Sequence, residues 1–203
     1  MSKPTPTMTP ATATINLHSS IAISNTSVPT VWNTLIDTST WPQWNRFVPR
    51  VTIREQPSSS PSTEAAHPQG ISPFLRLGTK MTFHANMDGA GHATPLSDAK
   101  DLREAHLVVS VFEPPTEGKP FGRIVWATDT AAPGAFAGWL LYAERAHEIS
   151  SQDDDDDESN VRVENWELQK GLLTHIVKGI FGKRLQGLFQ VWVDDLKAFV
   201  EKR

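Results

Sequence analysis

At 203 residues, with 38% hydrophobic and 21% charged side chains, the chain is long and apolar enough for one globular domain with a sizeable core. Its net charge of -4 leaves no basic stripe to follow a phosphate backbone, which excludes a nucleic-acid partner. Cysteine is absent, so disulfides, thiol nucleophiles and thiolate metal ligands are excluded together.

The first segment, residues 1–14, is rich in Thr and Pro and reads as a disordered lead without the apolar run of a signal peptide. No stretch is apolar for long enough to span a bilayer, and the lack of cysteine fits the expected cytoplasmic location. Ile15 to Ser24 reads as a first strand. Ser27 is a candidate N-cap, with Pro29 in the first turn and Val31, Trp32, Leu35 and Ile36 on one helical face. A second short helix is expected around Thr40 to Arg46, its Trp41 and Trp44 being core residues. Further strands are expected over Phe47–Glu55, Gly78–Met87, Leu102–Phe112, Phe121–Thr128, Gly138–Ile149 and Val161–Gln169. In the second of these, Met81, Phe83, Ala85 and Met87 share the apolar face. Residues 57–73 read as a mobile Ser/Pro-rich loop, and residues 151–160 as a solvated acidic loop. Adjacent carboxylates such as Asp153 to Asp157 lack the spacing of a calcium loop.

The chain closes on Gly171 to Arg203, which is free of proline. Leu173, Ile176, Val177, Ile180, Leu188, Trp192, Leu196 and Phe199 recur there at three- and four-residue steps, the period of one helical face. Such a helix is roughly 50 Å long, at about 1.5 Å per residue. It requires a large apolar partner, and the preceding strands supply a curved antiparallel sheet. Gly179, Gly182 and Gly187 within it point to a bend, to a close approach, or to room for a ligand. The fold class is therefore α+β, with about seven strands, two short helices and one long helix.

Alternation orients the last two strands. Trp139, Leu141, Ala143, Arg145, His147 and Ile149 form one set, pointed inward. In the final strand Val161, Val163, Asn165 and Glu167 are pointed inward too, although Trp166 pulls the other way. If the two strands pair as a hairpin, Arg145 lies beside Asn165 or Glu167, and His147 beside Val163 or Asn165. A buried arginine needs a carboxylate, and Glu167 is the candidate. This cluster is either a salt bridge that locks two strands or a ligand-facing site. In the second case Arg145 holds a carbonyl or enolate oxygen, and Glu167 or His147 moves a proton. Candidate cavity walls are Phe83, Met87, Trp126, Trp139, Leu141, Ile180, Leu188 and Trp192, with Asn165 as a polar contact. His84, Asp88 and His92 are each four apart, but on a strand leading into a loop that spacing carries no metal site. The reading needs no metal and no cofactor.

The segments SIAISNTSVPTVWNTLIDTSTWPQWNRFVPRVTI, LRLGTKMTF, YAERAHEI and NWELQKGLL, followed by the long helix, resemble the START/Bet v 1-like (SRPBCC) superfamily over residues 15–203. The resemblance implies a helix-grip fold with a hydrophobic cavity between sheet and C-terminal helix. It implies as partner a lipid-, sterol- or polyketide-like small molecule. Members include polyketide cyclases and passive carriers. The expected activity is a cofactor-independent cyclisation, dehydration or isomerisation of a polyketide-like intermediate. The alternatives are carriage or sensing of a lipid-like ligand and, less favoured, a co-chaperone-like protein-binding role.

Overall fold

The computed structural model describes residues 2–57, 71–88, 102–152 and 160–203. Strand β1 (Ile15–Ile23) leads into helices α1 (Val28–Ile36) and α2 (Trp41–Trp44). Strands β2 (Arg50–Glu55), β3 (Lys80–Asn86), β4 (Leu102–Glu113), β5 (Phe121–Thr128), β6 (Tyr142–Gln152) and β7 (Asn160–Lys170) follow, and helix α3 (Thr174–Val200) ends the chain. The strands form one antiparallel sheet in the order β1-β7-β6-β5-β4-β3-β2. Bulges between Ile53 and Glu55 and between Val109 and Val111 add local bend and twist. The sheet curves around α3, which packs on β1 and β7. This is the helix-grip, Bet v 1-like fold.

Local chemistry sets the short elements. The Ser27 hydroxyl accepts from the Thr30 amide at 3.3 Å and caps α1. Trp41 and Trp44 of α2 are buried and meet Trp192 of α3 edge-on, at 6.3 and 5.5 Å between ring centroids. Arg46 binds Asp195 of α3 through Nε and its terminal nitrogen, at 2.9 and 2.7 Å, fixing the end of α2 against the long helix. At the junction of β7 and α3, Gly171 has φ +115°, and a Cβ there would lie 2.5 Å from the Leu140 carbonyl oxygen. Only glycine fits that turn.

Three stretches differ from the sequence reading. Residues 2–14 are not a loose lead. They run across the convex face of the sheet, where Met8 covers Trp166, Leu168 and Val125. Thr7 donates twice to Glu144, and Lys3 pairs with Glu148 and Glu164. The apolar Trp166 faces outward because this strap buries it completely. The sixth strand begins at Tyr142 rather than Gly138, and α3 begins at Thr174 rather than Gly171. The acidic run 153–158, most of the 57–73 loop, and His92 lie outside the described residues. Of the remaining spaced residues, His84 bonds Thr52 and Arg50, and Asp88 pairs with Arg184. Among the described residues no three such side chains gather around a common point.

Candidate functional site

Register brings the site together. One cross-strand row reads Val109, Trp126, Arg145, Glu167 and Leu17. The neighbouring row, two residues along, reads Ile124, His147, Asn165 and Ser19. A third row on the other side contains Thr128, Ala143, Gln169 and Ile15. Because side chains alternate, all three rows project to the concave face beneath α3.

A cavity of about 560 Å³ opens over the first and third rows. That is within the usual size range of small-molecule sites. Its apolar wall includes Phe47, Phe83, Met87, Trp126, Leu141 and Leu185, and the loop around Phe136 stands at its rim. Its buried polar end is Arg145, Glu167 and Gln169, and Arg103, Glu104 and His106 of β4, which the sequence reading did not single out, line it on the more exposed side. Arg145 Nε donates to Glu167 Oε2 at 2.8 Å, and Gln169 Nε2 donates to Glu167 Oε1. Of the two ends of the Gln169 amide only the NH₂ can donate to a carboxylate, so its oxygen is turned away. The guanidinium lies over the Phe189 ring at 4.1 Å and faces Phe47 at 5.2 Å. Within the described residues, Nη1 of Arg145 and Oε1 of Gln169 are buried without a hydrogen-bond partner, and Arg145 makes its hydrogen bond through Nε. Thr128, by contrast, spends its hydroxyl on the Ala143 backbone.

The adjacent row is sealed. His147 is wholly buried, with Trp126 and Trp192 rings 4.3 and 4.5 Å from its own. Neither imidazole nitrogen has a partner among the described residues. Burial first, and the Arg145 charge second, hold its pKa well below the ordinary histidine value, so the ring is neutral. Asn165 opposite it is also fully buried, with neither amide atom paired. Ser19 donates to the Phe189 carbonyl of α3 at 2.9 Å, which closes the helix over this row.

Several expected positions therefore move. Phe83, Met87, Trp126 and Leu141 line the cavity with Arg145 and Glu167, whereas His147 and Asn165 point inward but lie behind its wall. Leu188 and Trp192 are core residues rather than lining. Trp139 is 66% exposed, because residues 138–141 form a turn before β6. Ile180 is 66% exposed, on the outer side of α3. Gln169, Leu185 and Phe189 were missed. Gln169 shares the parity of Glu167, and Leu185 stands one turn before Leu188, so alternation and helical period both pointed to them.

No family model matches the chain. It is 39% identical over 196 residues to the oxopyrrolidines biosynthesis cluster protein O of Penicillium oxalicum, covering 95% of this chain and 90% of that protein. The chain belongs to the family of that protein. Among solved structures, the hypothetical protein jhp0584 of Helicobacter pylori matches with a TM-score of 0.67 at 16% identity, over 94% of this chain and 90% of that one. A solution structure from Thermobifida fusca matches with a TM-score of 0.52 at 16% identity, over 92% and 93%. At these identities the likeness is one of fold. Among the described residues no helix is long and apolar enough to cross a membrane.

Proposed function

We propose that the protein binds a largely apolar, carbonyl-bearing biosynthetic intermediate in the cavity and promotes its cyclisation, dehydration or isomerisation without a cofactor. One observation carries this reading: a guanidinium, stacked on Phe189 and anchored through Nε alone, stands in the wall of an apolar cavity. Carbonyl polarisation and enolisation place negative charge on oxygen. A fixed, partly desolvated cation stabilises that charge better than water does, because it needs no reorganisation. Glu167 orients Arg145 and is the proton-transfer candidate. His147, screened by Trp126 and Trp192, has no path to a ligand in this conformation. The relative's name sets that protein in a cluster for oxopyrrolidines biosynthesis, which supports a carbonyl-bearing intermediate of secondary metabolism as the ligand.

Non-catalytic carriage is the second reading. It is favoured by the occupation of both Glu167 oxygens, each already accepting a hydrogen bond. Mass spectrometry of the small molecule retained by native protein, before and after incubation, separates the two. The proposal expects a carbonyl-bearing molecule that is converted on the protein. A ligand returned unchanged makes the protein a carrier. Failure to retain or bind any apolar small molecule would refute both.

A further inference from the structure

The first ten residues of α3 after Thr174 contain no buried side chain. Ile176 and Ile180 are 57% and 66% exposed, and Leu172, one turn earlier, is 65% exposed. The four-residue spacing sets Ile176 and Ile180 on one line, and Leu172 lies in the turn just before the helix. That line is opposite the face that buries Leu185, Leu188 and Trp192. Trp139, itself largely exposed, is tied to the same end of the helix, since the Leu172 amide donates to its carbonyl at 3.3 Å. Gly179 and Gly187 add no relief: a Cβ built at either would meet nothing within 4 Å. A contiguous exposed apolar patch of this kind marks an interaction surface.

The charge around the patch selects the partner. From Gln169 to Val193 there is no acidic residue, while Lys170, Lys178, Lys183 and Arg184 are basic, in a chain whose net charge is -4. Among the described residues only Asp88, 3.4 Å from Arg184, offsets one of them. Lys183 and Arg184 flank the apolar line on its two sides, whereas Lys178, two residues from each isoleucine, is on the sheet side and donates to the Thr14 carbonyl, and Lys170 lies over the Tyr142 ring. A second copy docked here about a two-fold axis would set these cations against themselves. A flat, anionic and apolar surface matches both features at once. We propose that the N-terminal half of α3, with Trp139, docks onto the surface of an anionic lipid bilayer. The aliphatic line and the indole enter the headgroup boundary while Lys183 and Arg184 meet lipid phosphates and carboxylates. The cavity rim at Phe136 belongs to the same 129–141 loop as Trp139, so the opening lies beside the docked face.

Co-sedimentation of the full chain with phosphatidylcholine vesicles, with and without phosphatidylserine, tests this. Binding is expected with phosphatidylserine, and it should fall at least about tenfold in Ile176→Ser/Ile180→Ser, in Lys183→Glu/Arg184→Glu, or at high salt. All four residues are exposed, so both variants should melt like the parent. Absence of binding, or equal binding to phosphatidylcholine alone, would overturn the proposal. So would a dimer in analytical ultracentrifugation that the two serines disperse, which would assign the face to a second copy.

Discussion

Two neighbouring rows of the same three strands, β5 to β7, put similar polar residues to opposite uses. Arg145 and Glu167 face each other across β6 and β7, and so do His147 and Asn165 two residues further on. The first pair is joined by a hydrogen bond, stacked on Phe189 and open to a cavity. The second is roofed by Trp192 and has no polar partner among the described residues. Position along α3 makes the difference. Where Trp192 presses on the sheet the space is filled, and toward Leu185 room remains. Polar residues in a wall are therefore not equivalent, and only the rows beyond the Trp192 contact can meet a ligand.

The sharpest way to break the comparison is to remove one partner of the open row. Arg145→Met leaves the Glu167 carboxylate buried and should cost about 3–5 kcal/mol in urea denaturation. Arg145→Met/Glu167→Leu should recover most of that loss, because no unpaired charge is left. If the single variant is as stable as the parent, the pair is not desolvated. Next comes the turn that aims the helix. Gly171→Ala should destabilise by about 1–3 kcal/mol, because of its positive φ and the close Leu140 carbonyl. A wild-type melting curve for this variant would contradict the glycine assignment.

The sealed row should respond less. His147→Phe removes two unpaired nitrogens and is expected to change stability by less than about 1.5 kcal/mol at pH 8. Its pH dependence is the stronger signature. With the folded pKa depressed, the unfolded chain takes up the proton first, near pH 6.5. The stability contribution is thus complete above that pH and is lost as pH falls, by up to about 1.4 kcal/mol per unit. Urea titrations from pH 8 to pH 5 (values near the reference histidine pKa) should show that component in the parent and lack it in the variant. Parallel pH profiles would mean that His147 is not sealed. Smallest of all is the exposed line on α3: Ile176→Ser should shift stability by less than about 0.5 kcal/mol, whereas Leu188→Ala should cost about 2–5 kcal/mol.

Much of this was legible in the chain. Strand alternation gives the inward set of β6 and β7 and hence the partners of Arg145, because a hairpin with one buried face admits few registers. The long helix reads clearly too, yet its face does not. Ile176 and Trp192 are joined by three- and four-residue steps, but sixteen residues at about 100° each turn the helix through roughly 160° net. A chain of permitted steps thus drifted from the outer side to the core. Trp139 misled through its apolar character, since the Gly171 turn holds the backbone of residues 139–140 outside the strand. The strap was hidden by a composition typical of disorder. Its one apolar anchor, Met8, acquires meaning only beside Trp166, whose outward position had no other explanation.

The proposed role of Arg145 rests on a terminal nitrogen of its guanidinium donating to an oxygen of the bound molecule. Its most direct test is calorimetric titration of the natively retained ligand into the parent and into Arg145→Lys, which keeps the charge but loses the planar fork. A loss of affinity of about tenfold or more, with the melting temperature nearly kept, is the predicted result. Equal affinity in a folded lysine variant would contradict it.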